Sequence, residues 1–129
     1  MMANRCFKLG ALYLIAGMSL GVYMGATHNH TLSPVHAHIN LLGWVCLLLA
    51  GLLFARFPQL AETKLAKAFF WTYNIAVPVS MLALALVFLG QPQLAPLVGI
   101  GSFAVWFGGV CLALNVLLNL KASDLAVAR

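Results

Sequence analysis

Four long apolar stretches alternate with short polar segments along the chain. The apolar stretches cover residues 7–26, 36–57, 69–89 and 95–118. A helix of about 20 apolar residues spans the hydrocarbon core of a bilayer, which is about 30 Å thick. The pattern therefore predicts an all-α integral membrane protein, a four-helix bundle in which residues 1–129 form a single transmembrane domain.

The composition agrees with a membrane protein and argues against a nucleic-acid-binding one. Hydrophobic residues make up 64% of the chain and charged residues only 7%, whereas a soluble domain has about 25% charged residues. The formal net charge is +5, but the basic residues lie at the ends of the apolar stretches and form no basic stripe. We therefore expect the lipid bilayer as a partner and no nucleic acid.

The positions of the basic residues predict the orientation of the helices. All seven fall on one side of the four stretches, and the first and third connections contain none. These residues are Arg5, Lys8, Arg56, Lys64, Lys67, Lys121 and Arg129. Lys and Arg are enriched in cytoplasmic segments. The sequence thus predicts cytoplasmic termini in a bacterial inner membrane, with the loop at residues 27–35 on the outer, periplasmic side.

A row of glycines in the first stretch predicts a close contact between helices. Gly17, Gly21 and Gly25 are spaced by four residues, so they share one helix face and allow another backbone to approach. The neighbour is a helix of this chain or of a second copy. We expect a homo-oligomer, a dimer or a larger assembly, formed through this face.

The third stretch contains two residues that are unusual inside a membrane helix, Asn74 and Pro78. Proline cannot donate to the carbonyl four residues earlier, here that of Asn74, so a kink is predicted at this point. The Asn74 amide needs a hydrogen-bond partner within the membrane. We interpret it as a structural residue that holds helices together.

All four histidines of the chain lie within eleven consecutive positions. They are His28, His30, His36 and His38, at the predicted outer face of a chain with few other polar groups. This concentration indicates that at least one of them is a ligand to heme iron, copper or zinc. The alternative is that they are ordinary polar residues of a loop and its flanking helix, because the H-x-H pattern by itself is a weak motif.

The start of the second helix sets the directions of two of these histidines. Ser33 is a candidate N-cap and Pro34 a candidate first helical residue. Successive helical residues turn by about 100°, so His36 and His38 point about 200° apart and do not easily bind one metal ion. His36 instead shares a face with Asn40, while His28 and His30 are free to converge in the loop.

The segment HAHINLLGWVCLLLAGLLFARFP, residues 36–58, resembles the second transmembrane helix of the catalytic subunit I of heme–copper oxidases. It is most similar to cytochrome cbb-type oxidases and bacterial nitric-oxide reductases. Residues 9–119 also resemble small four-helix bacterial proteins described as oxidase subunit I-like. In the oxidases, the histidine of an H-x-N pattern on this helix is an axial ligand of low-spin heme b. The resemblance implies that role for His38, which is followed by Asn40. Our candidate cofactor-binding residues are His38, His36 and Asn40.

The chain departs from the oxidases in ways that argue against a complete oxidase or reductase. The remaining heme and copper ligands of that family lie on later helices, and no histidine follows His38 here. Glu62 and Asp124 are the two carboxylates, and neither suits a proton path. We predict no catalytic residue. We expect a heme- or metal-binding protein with a role in electron transfer or in heme or metal handling at the outer face.

Several alternatives remain open from the sequence. The second heme ligand is His28, His30 or His36 of the same chain, or His38 of a second copy. A copper or zinc site would use His28, His30, His36 and His38, and Met24 would add a thioether for copper. A third alternative is a cofactor-free assembly subunit of a respiratory complex, with a respiratory-chain protein as its partner.

Overall fold

The structure is a computed structural model that describes residues 1–126, and it is helical throughout, with short connections. The helices are α1 (Met2–Thr27), α2 (Ser33–His38), a π-helical segment (Ile39–Val45), α3 (Cys46–Arg56), α4 (Pro58–Ala61), α5 (Lys64–Phe88), a 3₁₀ turn (Pro92–Leu94), α6 (Ala95–Asn119) and α7 (Ala122–Ala126). This architecture confirms the predicted all-α class.

Within residues 1–126, four helical segments are long and apolar enough to cross a membrane. They are Met2–Thr27, Ser33–Arg56, Lys64–Phe88 and Pro92–Asn119. The second span is one continuous helix that comprises α2, the π-helical segment and α3. Each span overlaps one of the predicted stretches, and the first begins five residues earlier than predicted, at Met2 rather than at residue 7.

The outer surface of these helices suits contact with lipid. Ile15 is 65% exposed, Leu82 66%, Phe103 66% and Leu117 76%. In water, side chains of this size exposed along a whole helix would be unfavourable. In a bilayer the same side chains meet acyl chains, so the exposed apolar surface needs no further protein cover.

The protein interior lies where the second span meets the third. Leu47, Phe54 and Phe69 are almost completely buried there. The rings of Phe54 and Phe69 meet edge to face at 6.3 Å, and Tyr73 lies 5.1 Å from Phe69. Around this centre, α1 packs along the second span and α6 packs along α5. Burial of these aromatic side chains holds the two helix pairs together.

The glycine row of α1 packs inside the chain. A Cβ at Gly17 would lie 2.6 Å from the amide of Asn40, and a Cβ at Gly21 would lie 2.8 Å from Cε1 of His36. At Gly25, no neighbouring element of the described chain lies within 4 Å of the corresponding point. The predicted close helix contact is therefore confirmed, with the second span of the same chain as the neighbour. Gly17 and Gly21 already contact the second span, so most of the face predicted to bind a second copy is buried within the chain. The homo-oligomer stays a prediction.

Asn74 and Pro78 both lie within α5, which continues through them without interruption. Asn74 Nδ2 donates to the Phe70 carbonyl at 2.7 Å, one turn earlier in the same helix. Its Oδ1 is buried without a hydrogen-bond partner in the structure. The hydrogen bond of Asn74 Nδ2 therefore lies within α5 and does not join two helices. This corrects the interpretation of Asn74 as a residue that holds helices together.

A buried asparagine joins the fourth span to the connection between the second and third. Asn115 is fully buried; its Nδ2 donates to the Leu60 carbonyl at 2.9 Å, and its Oδ1 accepts from Thr63 Oγ1 at 2.9 Å. Thr63 also caps α5, because its Oγ1 accepts from the Ala66 backbone N–H at 3.0 Å. One side chain thus fixes the end of α4 and the start of α5 to α6.

The alternation of the spans separates two ends of the molecule. The described basic residues all flank the connections at one end, here called the basic end: Arg5, Lys8, Arg56, Lys64, Lys67 and Lys121. Arg129 lies outside the described residues. The other end, here called the histidine end, carries the connection from α1 to α2 with His28 and His30. The structure thus shows the predicted separation of charge, whereas the side of the membrane that each end faces stays a prediction.

Candidate functional site

The histidine end is shaped by a tight turn between α1 and α2. His28 terminates α1 in the left-handed conformation, with φ 53° and ψ 23°, a common way for a helix to end. Asn29 stabilises the following turn by accepting from the Thr31 N–H at 3.0 Å. His28 and His30 are both exposed, and the short turn fixes where α2 begins.

Helix α2 begins one residue earlier than the sequence suggested. Ser33 is its first residue and Leu32 precedes it, because the Ser33 N–H bonds to the His30 carbonyl at 3.0 Å and the His36 N–H bonds to the Leu32 carbonyl at 2.9 Å. The Ser33 hydroxyl caps no backbone group and instead lies 3.9 Å from Met24 Sδ. The prediction of Ser33 as the N-cap is therefore wrong, and Pro34 occupies the second helical position.

His36 is a contact residue between α1 and α2. Its Nδ1 lies 2.8 Å from the carbonyl oxygen of Gly17. A carbonyl only accepts, so Nδ1 carries the proton in this bond. The ring occupies the space left by the missing side chain of Gly21. His36 therefore joins the two helices by a hydrogen bond and by packing.

Asn40 supports the same contact one turn further along. Its Nδ2 donates to the His36 carbonyl at 2.9 Å, and its amide packs against Gly17, where a larger residue would place its side chain. Asn40 Nδ2 and His36 Nδ1 lie 3.4 Å apart. Both are donors, because the proton on Nδ1 points at the Gly17 carbonyl, so this contact is not a hydrogen bond. The predicted shared face of His36 and Asn40 is thus confirmed, and that face points at α1.

His38 points in a different direction, as its helical position predicted. It is exposed, and it lines a cavity of about 290 Å³ between the second, third and fourth spans. Its Nδ1 donates to the Pro34 carbonyl at 2.6 Å, which fixes the tautomer and leaves a lone pair on Nε2. His36 faces α1, whereas His38 faces the cavity. Nε2 of His38 is therefore the better candidate for binding a metal.

The other walls of this cavity come from helices far away in sequence. Leu42 lies one turn below His38, Ser80 comes from α5, and Ser102 and Trp106 come from α6. Ser80 is completely buried, and its hydroxyl oxygen has no hydrogen-bond partner in the structure. The sequence offered no signal for these contributions, because serine and tryptophan are common in membrane helices and their proximity to His38 depends on the packing.

The helix widens directly after His38 into the π-helical segment Ile39–Val45. Inside it, Gly43 packs directly on the Tyr13 ring of α1. The Leu42 carbonyl accepts from Tyr73 Oη at 3.2 Å, so α5 satisfies a backbone group of this segment. Single π-helical turns in α-helices are frequent at functional sites. The sequence did not predict this segment.

The chain matches one protein family. The model of the family described as "Protein of unknown function (DUF2871)" matches residues 3–96. The chain belongs to the DUF2871 family. The match includes nearly all of the first three spans of this DUF2871 chain and all four histidines, and the family description assigns no role to them. No curated protein and no solved structure matches the chain.

The four histidines do not form a common metal site within this DUF2871 chain. Across residues 1–126, no group of three or more His, Cys, Asp or Glu side chains lies close enough together to hold one metal ion. His36 faces α1 and His38 faces the cavity, while His28 and His30 belong to the exposed turn. What the arrangement offers instead is one histidine nitrogen beside an apolar cavity.

Proposed function

We propose that this protein binds heme b at the histidine end, with His38 Nε2 as an axial ligand. The observation that carries the proposal is the hydrogen bond from His38 Nδ1 to the Pro34 carbonyl at 2.6 Å. In metal-binding histidines, the second ring nitrogen donates to a carbonyl or carboxylate in this way, which fixes the ring and raises the basicity of the ligating nitrogen. The resemblance of residues 36–58 to the heme-ligand helix of oxidase subunit I points to the same residue.

The cavity beside His38 has the apolar lining that part of a porphyrin ring would need. Leu42, Met81 and Trp106 give the cavity an apolar wall, and Ser80 adds a buried hydroxyl without a partner. The volume of about 290 Å³ is at the lower limit of small-molecule pockets, which range over about 300–1,000 Å³. The cavity would therefore cover one edge of a porphyrin, and the rest would need cover from lipid or from a second copy.

A second copy would also provide the second axial ligand. His36 is held by Gly17 and faces α1, so it is a poor partner for an iron on the opposite side of the helix. We infer that His38 of two copies, or His38 with His28 or His30 of the exposed turn, completes the coordination. In a symmetric dimer the same surface of both chains would meet, and the open side of His38 fits this role better than the occupied glycine row.

A bound heme would supply one-electron chemistry, and the protein would hold and orient it near the membrane surface. The chain lacks the additional histidines of a complete oxidase. We therefore infer a role in electron transfer with a respiratory-chain partner, or in heme handling, at the outer face of the bacterial inner membrane, and no independent oxidase or reductase activity.

Heme reconstitution tests this proposal. The protein is purified in detergent, loaded with heme, separated from free heme, and studied by reduced-minus-oxidised difference spectra. We expect a Soret band and a sharp α band from wild type and from His30→Ala, which changes an exposed histidine of the turn. His38→Ala should lose most of both bands. Equal spectra from wild type and His38→Ala, or no Soret band from wild type, would refute the assignment.

Copper or zinc binding or delivery is the alternative function. The observation that favours it is Met24, whose buried thioether lies at the histidine end, 3.9 Å from Ser33 Oγ, and thioethers favour copper(I). Elemental analysis of the same preparations separates the two. Stoichiometric copper or zinc that is retained without heme would support the alternative. The absence of both cofactors, together with co-purification of a respiratory complex, would support an assembly subunit.

A further inference from the structure

A cleft of about 690 Å³ opens at the basic end, far from the histidines. Its walls are the beginning of α1, the end of α3, the short helix α4 and the first two turns of α5. The cleft therefore lies between the first and third spans, at the end of the molecule that carries the basic residues. Its volume is within the range of about 300–1,000 Å³ that small-molecule sites occupy.

The floor of the cleft is aromatic and continues from the protein interior to the outer surface. Phe54 is 1% exposed, Phe70 5% and Trp71 59%. The rings of Phe70 and Trp71 meet edge to face at 5.6 Å. Tryptophan is enriched where a membrane meets water, because its ring has both an apolar body and a polar N–H. This floor offers an apolar surface that a lipid chain reaches from the side.

The rim of the cleft is charged. Arg5 from α1 and Lys67 from α5 contribute two cations from helices on either side, and Glu62 at the end of α4 contributes one carboxylate. All three residues are exposed. The three side chains together carry one net positive charge, which attracts the negative charge of a phosphodiester. The carboxylate disfavours a head group with a further negative charge and accepts hydrogen bonds from hydroxyl groups.

We propose that this cleft binds an anionic phospholipid with a hydroxyl-bearing head group, of the phosphatidylglycerol type. Arg5 and Lys67 hold the phosphate, Glu62 accepts from the head-group hydroxyls, and one acyl chain lies along Phe70 and Trp71. Basic pockets between membrane helices are suited to anionic head groups. The aromatic floor makes a lipid a better fit than a free phosphate ion, which would leave that apolar surface without a partner.

Native mass spectrometry of the full chain in detergent tests this site. The protein is titrated with phosphatidylglycerol and, separately, with phosphatidylcholine of the same acyl chains. We expect one phosphatidylglycerol to be retained with about tenfold preference over phosphatidylcholine, since two nearby basic residues attract the anionic head group. Arg5→Gln/Lys67→Gln should abolish this preference.

The chain offers a matched control for the same change in charge. Lys8→Gln/Lys64→Gln removes one cation from α1 and one from α5, as the test variant does, but neither residue lines the cleft. This control should retain the tenfold preference. An equal loss in both double variants would overturn the proposal, because the attraction would then come from the overall charge of the basic end.

Two further measurements separate the lipid from other ligands and from loss of folding. Trp71→Ala should weaken phosphatidylglycerol binding while leaving the helix content by circular dichroism unchanged. Soluble glycerol 3-phosphate at the concentration of the lipid should not compete. If it displaces the lipid, or if Trp71→Ala binds as wild type does, the cleft recognises only a phosphate and the lipid assignment fails. None of these outcomes depends on heme at the histidine end.

Discussion

His36 and Gly17 are joined by a hydrogen bond across two membrane-spanning helices. The Nδ1 of His36 donates to the Gly17 carbonyl at 2.8 Å, and the ring lies against Gly21, where a Cβ would come within 2.8 Å of Cε1. Glycine at both positions is what lets the imidazole reach the backbone of α1. This relationship separates His36, which holds the helices together, from His38, which faces the cavity.

The first prediction concerns the glycines of α1. Gly17→Ala and Gly21→Ala should each lower stability by about 1–3 kcal/mol, because the new methyl group overlaps Asn40 or His36 and forces the helices apart. Gly25→Ala is the matched control, since nothing lies within 4 Å of its new methyl group. Thermal unfolding in detergent measures the difference. A Gly25→Ala variant that is as unstable as the other two would contradict this explanation, because its loss of stability could not come from overlap with Asn40 or His36.

The second prediction separates the two helical histidines. His36→Ala should destabilise the protein by about 0.6–1.7 kcal/mol, since about 0.6 is the average and about 1.7 the maximum for interhelical hydrogen bonds in membranes. His38→Ala should leave stability within about 0.5 kcal/mol of wild type, as is usual for exposed positions, while it removes heme binding. Chemical unfolding of both variants without heme provides the comparison. Equal destabilisation would contradict the division of roles.

The third prediction concerns Asn115 at the basic end. Asn115→Leu should cost about 1–3 kcal/mol, because the buried hydrogen bonds of the Asn115 amide to the Leu60 carbonyl and to the Thr63 hydroxyl are lost. The longer bond from Thr63 Oγ1 to the Leu60 carbonyl, at 3.2 Å, then remains between those two groups. Leu117→Ala is a suitable control on the same helix, since Leu117 is 76% exposed and makes no such bond in the structure. Thermal unfolding, with limited proteolysis of the connection between α3 and α5, measures the effect. A stable, protease-resistant Asn115→Leu variant would show that the Asn115 hydrogen bonds do not hold this connection to α6.

The fourth prediction concerns orientation in the membrane. In a background with the three cysteines replaced by alanine, a cysteine placed at exposed Thr31 should react with a membrane-impermeant maleimide added to intact spheroplasts. A cysteine at exposed Glu62 should react only after the membrane is permeabilised. These outcomes follow from the concentration of basic residues at one end. The reverse labelling pattern would place the histidine end in the cytoplasm and exclude a role at the outer face.

The amino-acid sequence by itself determined the fold class, the four spans, the separation of charge between the ends and the divergence of His36 from His38. These features depend on local properties, namely hydrophobic length and the angle between helical positions. The same local reasoning misplaced the N-cap of α2, because the Leu32 carbonyl already accepts the first helical bond, from the His36 N–H, and the helix starts one residue earlier.

Only the tertiary structure decided which residues meet. It placed Gly17 and Gly21 against the chain's own second span, it set Asn115 on the Leu60 carbonyl, and it brought Ser80 and Trp106 to the cavity beside His38. A glycine row looks the same in sequence whether its partner is in the same chain or in another. The choice depends on the packing of all four helices at once, because close contacts in a membrane come from shape and hydrogen bonds between helices and not from hydrophobicity along one of them.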